Sequence, residues 1–342
     1  MPLTVALDAQ LALGTATGIG TYARDLAAAL DAGGVTVRSL AAPWLDPWRF
    51  DRRVLWDQVL LPLQAARSGA QLLHATSGTL PFVRTLPTVV TVHDMAWLRV
   101  QEHTPFYARA YFGAAMRRAY RRAAAVVVDS EFSAREYGEL SGDRRQPAVV
   151  LPGVDARFAA LVRRPDTAPF ALVTGTVERR KNLVRAIETA AAIPGLDVVS
   201  IGPPTLYLDE ARARAAALGV GARVQFLGYV SREVIDDLYA RATLALVPSR
   251  YEGFGYGLAE ALCAGLPVIA SDRASLPEVA AGDATVIDPD DAAGWIDAVR
   301  DILGDRDRAE RAAAAVRERA VQRFAWRHAA LALRVLYAGL LA

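Results

Sequence analysis

Short uninterrupted apolar runs recur along the chain, and between them lie longer segments whose apolar positions follow helical spacing. In the first half the runs are residues 4–7, 35–40, 70–75, 87–94, 125–133 and 149–155. In the second half they are residues 170–174, 196–202, 224–231, 242–248, 266–270 and 284–291. Continuous hydrophobicity, as opposed to strict alternation, marks strands buried on both faces, so the pattern predicts an α/β chain with parallel sheets covered by helices. At 342 residues the chain exceeds what one core usually holds. Two Rossmann-like doubly wound domains are expected, with a polar, proline-bearing linker at residues 163–169 and the domains spanning residues 1–165 and 166–325.

One stretch, residues 249–271, combines strand end, glycine-rich loop, short helix and next strand. Gly253, Gly255 and Gly257 let backbone N–H groups approach a ligand. The helix they open, roughly residues 257–264, directs its positive dipole end to the same place and favours an anion such as phosphate. Glu252 and Glu260 bracket the loop eight positions apart, about 12 Å of rise if all were helical, which suits two ends of one extended ligand. The plainer account makes Glu260 a first-turn helix acid and Glu252 a solvated loop residue. Upstream, the run through Gly175 delivers Arg179, Arg180 and Lys181 to the start of another helix. Lys181 is the one lysine among 39 basic residues, in a chain that otherwise writes every positive charge as arginine.

The first half carries weaker signals. Residues 14–26 form a glycine-bearing loop with Gly18, Ile19 and Gly20 leading into a helix, which fits a phosphate or sugar but meets only the relaxed dinucleotide pattern. His74 and the pair His93–Asp94 end predicted strands, where polar residues line the binding crevice of such sheets. Asp129 or Ser130 caps the next helix. Residues 107–122 read as a helix with Arg109, Arg117, Arg118, Arg121 and Arg122 among aromatics. That face is either solvated or a peripheral contact to an anionic membrane at the inner membrane face.

Charge and cysteine content narrow the classes. A net charge of +2 argues against a dedicated nucleic-acid partner. Cys263, the one cysteine, sits on an apolar helix face and reads as packing. The start of the sequence lacks the layout of a signal peptide, and no apolar run approaches a membrane span, so a cytoplasmic setting is expected. Asp288 and Asp290 have the spacing of a metal-binding pair, but turn chemistry surrounds them and no second ligand cluster accompanies them, so no metal and no cofactor are expected.

The run Glu252-Gly-Phe-Gly, with Glu260 and the following Cys-Ala-Gly-x-Pro-Val-Ile-x-Ser segment, resembles the donor-sugar motif of the retaining glycosyltransferases of family 4. The resemblance implies the GT-B fold, two Rossmann-like domains facing each other across a cleft, with a last helix, about residues 326–342, crossing back onto the first domain. It implies a nucleotide-diphospho-sugar donor held by the second domain and a glycan or lipid-linked acceptor held by the first. Glu252 with the backbone of Gly253, Phe254 and Gly255 would hold sugar hydroxyls, Tyr256, Gly257 and Leu258 would complete the donor loop, and Glu260 would hold the ribose. Gly175 would lie beside the donor, Arg180 and Lys181 would clamp the diphosphate, and the loop reaching Val230 would cup the base. Thr176 stands where many relatives carry arginine. By the same resemblance His93 faces the donor sugar, and the strand end at Asp129 lies near the cleft. Residues 56–62 and 74–81 are similar to the mannosyltransferase-like branch that builds surface polysaccharides, which implies GDP-mannose. Two rivals stand beside this reading. A Rossmann oxidoreductase needs an acid ending the second strand, where residues 35–40 offer none. A non-catalytic nucleotide-sugar-binding protein of the same fold would use the same binding residues.

Overall fold

The computed structural model describes residues 3–13, 18–46, 48–99 and 106–342. The chain forms two compact units, Met1–Gly153 with Ala325–Ala342, and Val154–Phe324. The first unit holds a parallel sheet of β1 (Thr4–Asp8), β2 (Thr36–Leu40), β3 (Leu72–Ala75), β4 (Thr88–Val92), β5 (Ala125–Val128) and β6 (Ala148–Val149), in the order β2-β1-β3-β4-β5-β6. The second holds β7 (Phe170–Thr174), β8 (Asp197–Ile201), β9 (Val224–Gly228), β10 (Leu244–Val247), β11 (Val268–Ser271) and β12 (Thr285–Ile287), in the order β12-β11-β10-β7-β8-β9. Strand order reverses between β7 and β10, and a doubly wound sheet opens its binding crevice at the carboxyl ends of such a pair.

Uninterrupted apolar runs became central strands because both faces are covered: all four residues of β3 and all five of β4 are buried. In the first unit Leu7, Leu26, Leu30 and Val127 share a core with Leu333 and Tyr337 of the final helix. In the second, Ile187, Leu244, Ile269 and Trp295 form the centre.

Residues 154–165, given to the first domain by the sequence pattern, pack with the second unit. Asp155 caps the helix Ala156–Ala160, the Phe158 ring meets Tyr239 edge-on at 4.9 Å, and Arg163 donates to the Ala242 carbonyl at 2.6 Å and pairs with Glu310. Gly153, at the end of the first unit, is a glycine for a packing reason: a Cβ there would lie 2.3 Å from the Trp326 ring.

The helix expected over residues 107–122 is broken into Phe106–Ala108, a π-helical stretch Arg109–Ala115, and Met116–Tyr120. A second π-helical stretch runs Trp56–Leu60. The two meet where the Tyr111 hydroxyl donates to Asp57 at 2.9 Å and Gln58 donates to that hydroxyl at 2.8 Å. Insertions of this kind re-aim side chains, and here they bring three polar groups together in an aromatic surround. Among the described residues no helix is long and apolar enough to cross a membrane.

Candidate functional site

At the carboxyl end of β7 the chain must turn sharply against its neighbour. Gly175 adopts φ +112° and Gly202 φ +138°, and a Cβ on Gly202 would sit 2.1 Å from the Gly175 carbonyl oxygen. Only glycine tolerates both demands. The Lys181 side chain lies over Gly175, its Nζ 3.4 Å from where a Cβ would be. Lys181 ends a short 3-10 turn, Arg179–Lys181, followed by Asn182 in the left-handed region. The turn is tied to the loop after β10 by two bonds: Asn182 Nδ2 donates to the Pro248 carbonyl at 3.1 Å, and the Arg250 amide donates to the Arg180 carbonyl at 2.7 Å.

Those ties bring the cations onto Glu252. Lys181 Nζ stands 2.5 Å from Oε1 and Arg180 Nη1 3.3 Å from Oε2. Arg180 also pairs with Glu178 at 2.7 Å and donates to the Tyr251 carbonyl at 3.1 Å. Burial pushes the Glu252 carboxyl up, but the Lys181 ammonium and the Arg180 guanidinium outweigh it and hold the group below the usual glutamate range. Glu252 is therefore an ionised acceptor at neutral pH. Arg179 turns away, pairing with Glu210 and lying over the Tyr207 ring.

The glycine loop is fixed from beneath. Ser275 has the sequence position of a capping residue, yet its hydroxyl caps nothing; it lies 3.0 Å from the Glu252 carbonyl and 2.8 Å from that of Phe254. Gly255 takes φ +102°, and a Cβ there would strike Leu276 at 2.6 Å. The helix α1 (Tyr256–Ala264) then begins with no side-chain cap. Gly257 is needed because a Cβ would come 2.4 Å from Thr174 Oγ1, so the helix start rests against the end of β7. Two expected donor-loop side chains are occupied elsewhere: Leu258 is fully buried, and the Phe254 ring packs edge-on to Phe324 at 5.7 Å. These two positions offer a ligand backbone only. Val230 is half-buried, in the loop after β9.

Glu260, one turn into α1, accepts from the Tyr239 hydroxyl at 2.8 Å through Oε2. Burial pushes its carboxyl up to about 7, against the opposing Tyr239 hydrogen bond and Arg157 charge. Cys263 is buried, its thiol pushed up to about 12, and has no reactive role. Asp288 and Asp290 pair with Arg273 and Arg250 at 2.6 and 2.5 Å, serving as counter-ions.

In the first unit, residues 14–17 of the expected glycine loop lie outside the described residues. Gly18, Ile19 and Gly20 are not loop; they form the first turn of a helix, Gly18–Ala32. Gly20 lets that helix press onto the preceding turn, since a Cβ would meet the Leu11 carbonyl oxygen at 2.2 Å.

His93 has both ring nitrogens engaged. Nδ1 lies 2.6 Å from Asp129 Oδ2 and Nε2 2.8 Å from the Thr76 carbonyl. A carbonyl only accepts, so Nε2 carries a proton. Burial disfavours the cation, but the charge and hydrogen bond of Asp129, with Thr76 and Asp94, outweigh it and raise His93 above its ordinary value. Both bonds fix the orientation of the ring, which stands edge-on to Tyr22 at 4.7 Å. Asp129 is thus partner to His93, and Ser130 is the helix cap, accepting from the Ser133 amide at 3.0 Å. His74 is structural, fully buried between Thr91 Oγ1 at 2.7 Å and the Tyr337 hydroxyl at 2.6 Å, and burial pushes its pKa down to about 3.

Four site-shaping residues escaped the sequence reading: Ser275, Tyr239, Thr174 and Glu178. Only Ser275 carries a local signal, the Ser-x-x-Glu spacing to Glu278, and that spacing points to a helix cap.

Comparison with known proteins places this geometry. The family model described as Glycosyl transferases group 1 matches residues 157–319, and that described as Glycosyltransferase Family 4 matches residues 16–158. The D-inositol 3-phosphate glycosyltransferase of Mycolicibacterium smegmatis is 33% identical over 228 residues, covering 62% of this chain and 52% of that protein. The O-antigen chain mannosyltransferase B of Escherichia coli is 29% identical over 226 residues, covering 59% of this chain and 58% of that protein. The chain thus spans about half the length of the curated relatives it matches. Among solved structures, sucrose-phosphate synthase from Thermosynechococcus elongatus shares the fold with a TM-score of 0.79 at 21% identity, over 99% of each chain.

Proposed function

Since the chain belongs to glycosyltransferase family 4 and has its two-domain α/β fold, we propose that it transfers a sugar from a nucleotide-diphospho-sugar to a glycan or lipid-linked acceptor, with retention of anomeric configuration and without a metal. The observation that carries this reading is the trio Lys181–Glu252–Arg180 at the mouth of a capless, glycine-lined helix. As the bond between the anomeric carbon and the β-phosphate oxygen breaks, negative charge grows on the diphosphate. A fixed ammonium, a guanidinium and the positive end of a helix stabilise that charge more than they stabilise the ground state. Glu252, held ionised by the same two cations, accepts hydrogen bonds from sugar hydroxyls, with the Gly253–Gly255 backbone beside it. Glu260 accepts from the ribose. By the family resemblance His93 of the first unit faces the donor sugar, and the acceptor binds to that unit. The new bond forms on the face the leaving group quits, and the acceptor hydroxyl proton passes to the departing phosphate oxygen, so no protein nucleophile is required.

Mannose, delivered as GDP-mannose for polysaccharide assembly, is the favoured sugar, supported by the motif similarity and by the name of the Escherichia coli relative. The setting is cytoplasmic with peripheral membrane contact. Arg109, Arg117, Arg118, Arg121 and Arg122 are all exposed, and Phe106 and Tyr107 beside them are 81% and 56% exposed.

The test is thermal stabilisation of the protein by GDP-mannose, UDP-glucose, UDP-N-acetylglucosamine, GDP, UDP and NAD in metal-free buffer, repeated with Lys181→Ala. One nucleotide-sugar family should stabilise selectively, and Lys181→Ala should weaken that effect about tenfold or more in affinity. Stabilisation by NAD alone would overturn the proposal in favour of an oxidoreductase.

A further inference from the structure

The two carboxylates of the second unit differ in who holds them. Glu252 is held by cations, whereas Glu260 is held by one neutral phenol, and that phenol belongs to another element. Tyr239 lies near the end of the helix α2 (Arg232–Arg241), which begins just after the loop following β9. It is 1% exposed, far too buried to touch a ligand itself. Its ring is wedged by Phe158 at 4.9 Å. A phenol has a single proton. Tyr239 commits that proton to Glu260 Oε2, donating to it at 2.8 Å. The bond thus joins the end of α2 to the first turns of α1, whose start rests on Thr174 of β7 through Gly257. Oε2 is thereby committed, and among the described residues Oε1 has no hydrogen-bond partner.

We infer that Tyr239 is a positioning residue for nucleotide recognition: by holding Oε2 of Glu260 it turns Oε1 outward as one oriented acceptor for a ribose hydroxyl, so the site selects ribonucleotides over 2′-deoxyribonucleotides. This rests on the nucleotide-sugar reading and names the means by which that site reads its ribose. The phenol also favours the ionised state of Glu260, which burial opposes. The other groups bearing on that carboxyl are Arg157 and Lys181, which favour ionisation, and Asp155, which opposes it. Cys263, a neutral thiol on the same helix, feels Glu260 in turn.

The experiment measures dissociation constants of UDP, GDP and their 2′-deoxy counterparts by calorimetry for the unaltered protein, Tyr239→Phe, Glu260→Gln and the double variant. The unaltered protein should prefer the ribonucleotide about tenfold, and Tyr239→Phe should erase most of that preference. The double variant should bind no worse than Glu260→Gln alone, because Tyr239 acts only through Glu260. Across pH, ribonucleotide affinity should fall as Glu260 takes up a proton below about 7, and in Tyr239→Phe that midpoint should move to higher pH. A Tyr239→Phe protein of lower melting temperature with an unchanged ribose preference would overturn the inference, as would additive losses in the double variant. Nucleotide binding weakened by Lys181→Ala but indifferent to Tyr239→Phe would sink this inference alone. Absence of nucleotide binding in every variant would sink the functional proposal with it.

Discussion

The same doubly wound scaffold ends its strands in two ways. In the second unit the ions at the strand ends are partly open, with the side chains of Lys181 and Arg180 19% and 20% exposed, and they hold Glu252 at the start of the glycine-bearing loop. In the first unit the polar groups pair with one another in burial: Asp129 is 2% exposed and its Oδ2 is paired with His93, Asp8 accepts from Trp56 and Ser77, and Arg53 pairs with Asp57. Both arrangements use charge. One leaves interactions that a ligand can exchange, and the other has already used them to fix the fold. Substitutions in the second unit should therefore cost turnover with little stability, and those in the first should cost stability.

The largest expected effect tests the open side. Glu252→Gln should lower kcat/KM for transfer about 100-fold, because the sugar loses an ionised acceptor held in place. The same change frees Lys181 and Arg180 from an internal competitor, so GDP or UDP should bind a few-fold more tightly. Steady-state kinetics and calorimetry on one preparation check the opposed signs; equal turnover would remove Glu252 from the mechanism.

The closed side should respond in the other currency. Asp129→Asn removes one partner of a buried ion pair and should cost about 3 kcal/mol of stability, read by denaturant unfolding. The sign with pH follows from His93: its raised value means that its stabilisation is present below its ordinary pKa and is lost as pH rises through the folded value. Asp129→Asn should flatten that alkaline loss. The smallest effect sharpens the contrast. Glu178, 35% exposed, competes with a diphosphate for Arg180, so Glu178→Gln should improve nucleotide-diphosphate affinity about two- to threefold without moving the melting temperature.

Much of this was legible in the residues. Continuous apolar runs announced buried parallel strands, and Glu252, Glu260, the three glycines and the solitary Lys181 stood out by type and spacing. What stayed hidden was pairing over distance. Nothing near His93 shows that its partner is Asp129, 36 positions on, because adjacent strand ends bring them together only once β4 and β5 pair. The Ser-x-x-Glu spacing of Ser275 and Glu278 fits a helix cap, and local pattern cannot reveal that two carbonyls of a loop 21 and 23 positions earlier lie within the Ser275 hydroxyl's reach. Gly20 looked like loop glycine because the Leu11 carbonyl that excludes a side chain is invisible in sequence. The domain boundary was misplaced for a related reason: the polar, proline-bearing stretch looks like a linker, but Arg163 anchors it to Glu310 and Ala242.

The final helix, Trp326–Leu341, sets an order of events in the cell. Its Leu333 and Tyr337 complete the core of the first unit, together with Leu7 and Leu26 from the opposite end of the chain. A ribosome working at about 5–20 residues per second needs roughly 10–30 s to make the intervening second unit. Throughout that interval the strands made before it exist without the helix that covers them, whereas the second unit, one continuous stretch of chain, has every segment of its core as soon as residue 324 is made. Of the two units, the one begun first is thus the one completed last, and the nascent chain must keep an unfinished apolar face from its neighbours until residues 326–341 have been made.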